Sequence, residues 1–417
     1  MDGSESRHPY ADVRMRGFAQ RSTVEDALAW VDAALPAFAN LGVEEVSLLG
    51  AAGRVLAHDV VSPVNVPGYA RAMMDGFAVV AEDTQGATSY NPLPLKILGT
   101  CLPSKSFPGS VAHGTAVRIM TGAPLPHGAD AVVPIEVTQI DGERVLVSES
   151  VSPGKHVGQL GEDVKLGDFV ERAGQLLRPQ DIGLLSSLGF GSVTVIHRPR
   201  VRILITGNEL LPMGTPPEGF RVTDANGPML SALVERDGGE PIVGPIIPDD
   251  RDAILAALRE PADLILVSGA TSVGQEDHVP TLVAEHGELA VHGIAMRPSS
   301  PTGMGRLEGR LVFLLPGNPV SCLCAYDFFA GRAIRALAGR SRDWPYRRMT
   351  ARLSRKLVSV VGRVDYARVK INGSFAEPVS ISGASVLSSV TRAHGFVILP
   401  MDSEGFPEGS DVEVFLY

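Results

Sequence analysis

The sequence is poor in cysteine and in basic charge, and it has no long apolar run. Three cysteines in 417 residues, Cys101, Cys322 and Cys324, cannot build a disulfide framework, and the spacing Cys322-x-Cys324 does not fit a zinc knuckle. The latter pair lies in the apolar stretch Val320 to Phe329, where thiols pack as small hydrophobes. No run of about 18 apolar residues exists, which excludes a spanning helix, and Met1 to Gln20 is polar without the apolar core of a signal peptide. The expected setting is cytoplasmic. Lys and Arg number 37 against 47 Asp and Glu, a net charge of −10, which argues against nucleic-acid and anionic-membrane partners. An anionic small substrate therefore needs local help from a metal, an arginine or backbone amides.

What is present fits a multidomain globular chain. At roughly 150 residues per domain, the length implies two to four domains. The 45 glycines and 31 prolines exceed the ordinary share without reaching low complexity, and mark many tight loops. Thr23 to Phe38 carries apolar residues at helical spacing, with Ser22 or Thr23 as N-cap. From Val43 to about Val151 short β-branched runs (Ala78 to Val80, Leu95 to Leu98, Ala116 to Ile119, Ala131 to Pro134, Arg144 to Val147) predict a β-rich insert. A Gly-rich passage over Ser152 to Gly174 precedes a short helix at Pro179 to Leu188. From Arg200 strands and helices alternate: apolar strands at Val201 to Ile205, Pro241 to Ile247, Asp263 to Val267, Leu289 to Met296 and Leu311 to Leu315, with helices between them and a long one over Val320 to Leu337. This predicts a doubly wound α/β domain with a parallel sheet. After Trp344-Pro345 the texture is again β, a small barrel or sandwich.

Ligands of such sheets bind beyond the carboxyl ends of the strands, where strand order reverses. That rule nominates Thr206, Gly207, Asn208 and Glu209, then Asp249 and Asp250, then the loop Ser268 to Asp277 with Gly269, Ser272 and Gly274, and Pro316, Gly317, Asn318 and Pro319. The Ser268 loop combines small residues and hydroxyls before a helix, as either an anion cradle or an ordinary strand-to-helix turn. Glu209, Asp249 and Asp277 end three strand segments; together they suit Mg²⁺, and singly each reads equally as a helix cap or solvated acid. Arg297 and Ser300, in Arg297-Pro298-Ser299-Ser300-Pro301, follow another strand and either meet an oxyanion or lie on the surface. In the β-rich part, Asp75-Gly76 is a hairpin signal and Thr121 lies in a rigid Gly-Pro turn.

Several strings, in order, resemble the molybdopterin molybdenumtransferase family, MoeA in bacteria, with the E domain of gephyrin as animal relative. They are Met74-Asp75-Gly76-Phe77-Ala78-Val79, Arg118 through Pro126 with Gly128 to Val133, Gly161-Glu162-Asp163-Val164, Thr206-Gly207-Asn208-Glu209-Leu210, Asp224-Ala225-Asn226, Pro248-Asp249-Asp250, Ser272 to Asp277 and Leu315 to Ser321. The resemblance implies a flexible tail over 1–18, a helical/linker domain over 19–61 plus 152–197, a β-rich inserted domain over 62–151, an α/β molybdopterin-binding domain over 198–343 and a small β domain over 344–417. It further implies an elongated homodimer, the inserted domain of one subunit facing the α/β domain of the other, and a molybdopterin adenylyltransferase as partner. The implied reaction is Mg²⁺-dependent insertion of molybdate into adenylylated molybdopterin with release of AMP. Functional positions carry over onto Asp75, Thr121, Asp163, Glu209, Asp249 and Asp277. Departures are Asn208 where the family has Asp, Ala270 and Thr271 in the glycine-rich loop, and Gly293, Arg297, Ser299 and Ser300 in place of common Lys, Lys, Gly and Lys. Ser299, Ser300 and Ala270 motivate one alternative, a non-catalytic scaffold or pterin-binding relative; another is a paralogue acting on a different adenylylated substrate.

Overall fold

The computed structural model describes residues 21–38, 41–269, 277–380 and 383–417. The chain divides into two compact units, one of residues 45–52 and 56–195, the other of the described residues up to 44, 53–55 and 196–417. No described helix is long and apolar enough to cross a membrane.

Helix α1 (Val24–Ala34) opens the second unit. The Thr23 hydroxyl accepts the Asp26 N–H at 3.0 Å, and Glu25 and Asp26 meet the positive end of the helix dipole. Val24, Ala27, Val31 and Ala34 are buried in one core with the α/β sheet. The helix therefore packs with the α/β part, whereas the resemblance grouped it with the Gly-rich stretch. Leu48, Ala51, Leu177, Leu185 and Val193 make a small core of their own in the first unit, served by α2 (Pro179–Ser187).

The first unit is built on β1 (Gly76–Val79), β2 (Leu93–Cys101), β3 (Thr115–Ile119), β4 (Ala131–Pro134), β5 (Thr138–Asp141) and β6 (Arg144–Val147), in the order β4-β1-β3-β2-β6-β5. Only β2 and β3 run parallel. Phe77, Val79 and Val133 face one core, and Ala78, Val117, Ile119 and Val132 the other. Covered on both faces, β1 reads as a continuous apolar run. The edge strand β5 is exposed along three of its four residues, so its sequence carries no burial pattern and the strand goes unread.

In the second unit the sheet comprises β7 (Arg200–Ile205), β8 (Glu240–Val243), β9 (Leu264–Ser268), β10 (Gly287–His292), β11 (Gly303–Leu307) and β12 (Arg310–Leu315), in the order β8-β7-β9-β12-β11-β10. Four strands are parallel, as expected. Beyond them β11 runs antiparallel to both of its neighbours, β12 and β10, and makes the sheet mixed, which corrects the expectation of a wholly parallel sheet. Leu307 pairs with Arg310 across a two-residue turn, and Glu308 and Gly309 both have positive φ, 48° and 77°, as a tight hairpin demands. Helices α3 (Asn226–Arg236), α4 (Arg251–Arg259) and α5 (Val279–His286) connect the strands. The long helix expected over Val320 to Leu337 is α6 (Pro319–Ala325) and α7 (Gly331–Leu337) joined by a π-helical turn at Tyr326–Ala330. Within that turn buried Asp327 accepts from Arg236 at 3.0 Å and from the Tyr346 hydroxyl at 2.9 Å.

The C-terminal strands β13 (Arg347–Leu353), β14 (Val364–Asn372), β15 (Phe375–Ser380), β16 (Gly395–Leu399) and β17 (Asp411–Leu416) run in the order β14-β15-β13-β17-β16, and a β14–β16 pairing closes the ring. Of the two expected forms it is the barrel. Its core is Leu353, Ala367, Val369, Val397, Leu399 and Val414.

Candidate functional site

Strand order reverses between β7 and β9, and a cleft of about 660 Å³ opens there at their carboxyl ends, within the size range of small-molecule sites. Thr206, Gly207 and Glu209 follow β7, Asp249 follows β8, Ser268 and Gly269 end β9, and Gly317, Asn318 and Pro319 follow β12. The loops are pressed together. Gly269 has φ 99°, and a Cβ there would lie 2.2 Å from the Thr206 carbonyl oxygen, so glycine is required by both conformation and space.

Three bridges fix the cleft. The Asp249 carboxylate accepts the Asn208 N–H at 3.0 Å while the Asn208 side-chain oxygen accepts the Asp249 N–H at 3.3 Å, tying the loops after β7 and β8. Asn208, where the family has Asp, thus keeps an accepting oxygen. Asp224 accepts the N–H groups of Asn226 and Gly227 at 2.9 and 3.0 Å, capping α3. Asn226 donates through Nδ2 to Ser268 Oγ at 2.9 Å and to the Gly317 carbonyl at 2.7 Å.

The structure thus brings Gly207, Glu209, Asp249, Ser268, Gly269, Asp277, Gly317, Asn318 and Pro319 to one cleft. Pro316 is buried just before it. Ser272 and Gly274 lie outside the described residues. Thr206, which the strand-end rule nominates, also lines the cleft, as do Asp224, Asn226 and Ser385, to which the sequence assigned no role. Asp224 and Asn226 carried a signal, an acid two residues before a helix; Ser385 carried none.

With Glu209, Asp224, Asp249 and Asp277 on its wall and no Lys or Arg among its described lining residues, the cleft is acidic. Among the described residues, however, no three acidic, His or Cys side chains converge as a metal-ligand cluster. The expected three-carboxylate set is therefore not assembled as such. The donors are all oxygen, which suits Mg²⁺, and that ion is usually held by one or two carboxylates together with substrate phosphates.

Arg297 and Ser300 do not line this cleft. They border a second cavity of about 680 Å³ with Arg21 and Arg363. Arg297 donates to Asp365 at 2.6 Å and Arg363 lies 3.0 Å from the same carboxylate. One fully buried acid is thus shared by two guanidinium groups, and with Arg21 the wall stays positive.

In the other unit, the Asp75–Gly76 pair is not a hairpin turn. Asp75 is exposed before β1, and one of its carboxylate oxygens accepts both the N–H and the hydroxyl of Thr121 at 2.7 Å. These two donors hold its carboxyl below the usual carboxylate range. Asp163 is exposed, its N–H bonded to the Val66 carbonyl at 3.1 Å. No contact joins it to Asp75 or Thr121 in the hydrogen bonds described.

The α/β fold and its cleft define a molybdopterin-binding class of domain: residues 202–336 match the family model described as "Probable molybdopterin binding domain". Residues 22–189 match the MoeA N-terminal region (domain I and II) and residues 350–417 the MoeA C-terminal region (domain IV). Molybdopterin molybdenumtransferase 2 of Mycobacterium tuberculosis is 34% identical over 384 residues, 89% of this chain and 94% of that one. Molybdopterin molybdenumtransferase of Staphylococcus aureus is 30% identical over 379 residues, 89% and 90%. The crystal structure of the molybdopterin biosynthesis MoeA protein of Pyrococcus horikoshii superposes with a TM-score of 0.80 at 33% identity, covering 95% of this chain and 99% of that one. The chain belongs to the MoeA family, the molybdopterin molybdenumtransferases.

Proposed function

We propose that this enzyme of molybdenum cofactor biosynthesis inserts molybdate into adenylylated molybdopterin, with Mg²⁺-dependent cleavage between the pterin phosphate and the adenylate and release of AMP. The observation that carries the reading is the pairing of an acidic cleft at the switch point, with no arginine among its described lining residues, with a separate cavity walled by three arginines. An acidic cleft repels a phosphate-bearing ligand unless a cation intervenes, whereas molybdate, an oxyanion, suits the guanidinium-lined cavity.

One or two of Glu209, Asp249 and Asp277 would hold Mg²⁺ together with the substrate phosphates; the ion would neutralise the phosphate charge and polarise the bond that breaks. The Asn208–Asp249 bridge keeps the two loops in register, and backbone amides at the strand ends orient the phosphates. By the family resemblance, Asp75, Thr121 and Asp163 contribute to the same reaction within a homodimer, a molybdopterin adenylyltransferase supplies the substrate, and the setting is cytoplasmic.

The test is AMP release from adenylylated molybdopterin, with and without molybdate and Mg²⁺. Release that needs both, and that falls at least 100-fold in Asp277→Ala with the circular dichroism spectrum unchanged, is the expected result; equal turnover in the variant removes the assigned role. One observation favours a second reading, a non-catalytic pterin-binding relative: Arg297 is already engaged by Asp365 and Ser300 stands where the family commonly has Lys. Pterin binding without AMP release at any molybdate concentration would select it. Release of AMP from a different adenylate alone would select the paralogue.

A further inference from the structure

Two buried polar atoms at the cleft have no hydrogen-bond partner among the described residues. Thr206 is 2% exposed and its Oγ1 makes no hydrogen bond. Asn226 is 7% exposed; its Nδ2 serves Ser268 and Gly317, and its Oδ1 makes none. Both residues line the cleft. A buried polar group without a partner opposes folding, so native proteins rarely keep one without a reason. Here the amide cannot turn over to relieve it, because that would set Oδ1 against the Gly317 carbonyl, two acceptors face to face.

From this pair we infer that Thr206 Oγ1 and Asn226 Oδ1 read the hydrogen-bonding edge of the pterin ring and make the cleft selective for a 2-amino-4-oxo heterocycle. The inference rests on the reading of this cleft as the pterin site. A 2-amino-4-oxopteridine presents N–H donors at position 2 and N3 beside a carbonyl acceptor at position 4. Asn226 Oδ1 only accepts and so takes an N–H of the 2-amino group, the one donor on this edge that a 2,4-dioxo ring lacks. The Thr206 hydroxyl, which donates as well as accepts, matches the carbonyl at position 4. A 2,4-dioxo ring keeps the carbonyl at position 4 for Thr206 but sets a second carbonyl against Asn226 Oδ1 and leaves that oxygen unsatisfied. Sites that hydrogen-bond a substrate group in this way reject analogues lacking it far better than apolar pockets do.

The experiment titrates the full chain with pterin-6-carboxylate and with lumazine-6-carboxylate, its 2,4-dioxo counterpart, by fluorescence quenching. The wild type is expected to bind the pterin roughly tenfold more tightly or better. Thr206→Val, nearly isosteric and deleting an unpartnered atom, is expected to leave the unfolding temperature unchanged and to weaken pterin binding several-fold. Asn226→Ala is expected to bring the ratio of the two affinities close to one. If that variant does not fold, the wild-type ratio and Thr206→Val decide alone. Binding of neither ring by the wild type overturns the assignment of the cleft to the pterin. Equal binding of both rings, or wild-type affinity in Thr206→Val, overturns this inference and leaves that assignment standing.

Discussion

Single residues already separate reactive groups from inert ones. The Thr121 donors hold the exposed Asp75 carboxyl below its usual range. A depressed folded pKa adds stability above the unfolded value that is lost as pH falls through the folded value. Thr121→Val keeps the amide donor and removes the hydroxyl, so the Asp75 pKa is expected to rise part of the way back, read by NMR titration of the carboxyl carbon. An unchanged value would show that the hydroxyl contributes nothing. The cysteines behave oppositely. All three are buried, and burial pushes the Cys322 thiol up to about 12, the Ser268 hydroxyl offsetting only part of this. A thiol kept protonated is a poor nucleophile. Ellman's reagent at pH 8 is expected to label none of the three cysteines in the native chain and all three in denaturant.

Elements are held by a few contacts whose loss has calculable consequences. Arg332 of α7 grips Asp32 of α1 through two bonds of 2.8 Å, which lowers the Asp32 pKa. That stabilisation is complete above the unfolded carboxylate value and disappears as pH falls through the lowered one. Asp32→Asn is expected to cost about 1 kcal/mol near neutrality, discounted for partial exposure. In urea denaturation the variant and the wild type should converge at strongly acidic pH; a constant gap across pH would place the effect elsewhere. Arg236 has a raised pKa from Asp327 and Asp237, which outweigh its burial. Arg236→Met leaves Asp327 buried and uncompensated, an expected loss of roughly 3–5 kcal/mol, whereas a surface pair such as Arg352–Asp411 should be nearly silent. At the cleft, Gly269→Ala meets a wrong φ and the Thr206 carbonyl together, and is expected to lose at least about 2 kcal/mol along with pterin binding.

For the whole molecule, the acidic balance seen in composition becomes a matter of place. Acids gather at the cleft and arginines at the second cavity, so pterin nucleotide binding should require Mg²⁺ and weaken on chelation, measured by calorimetry with and without EDTA. The proposed homodimer makes a further prediction. Co-expressed Asp75→Ala and Asp277→Ala chains, each inactive alone, should recover roughly a quarter of wild-type AMP release if each site draws one residue from each subunit, since half the dimers are mixed and carry one intact site. No recovery would place both residues in one subunit's site.

Much of this was legible in the sequence because it is local. The helix at 24–34, the apolar strands β7, β9 and β12, and the polar strings at their ends are written in neighbouring residues, since periodicity and caps report which face is buried and where an element stops. The strand-end rule nominated Glu209, Asp249 and Asp277, and all three line the cleft. Pairing between distant segments is not written locally. The antiparallel strand β11, with its two glycines and an arginine, lacks an apolar pattern and became visible only beside β10 and β12. Arg297 meets Asp365 from 68 residues away, which no spacing rule foretells. The orphaned oxygens of Thr206 and Asn226 exist only because burial and the Ser268 and Gly317 contacts come together in three dimensions. The sequence by itself determined the elements, the chemistry at their ends and the family; the tertiary structure decided which of those groups face one cleft and which are already taken, because non-local packing assigns the partners.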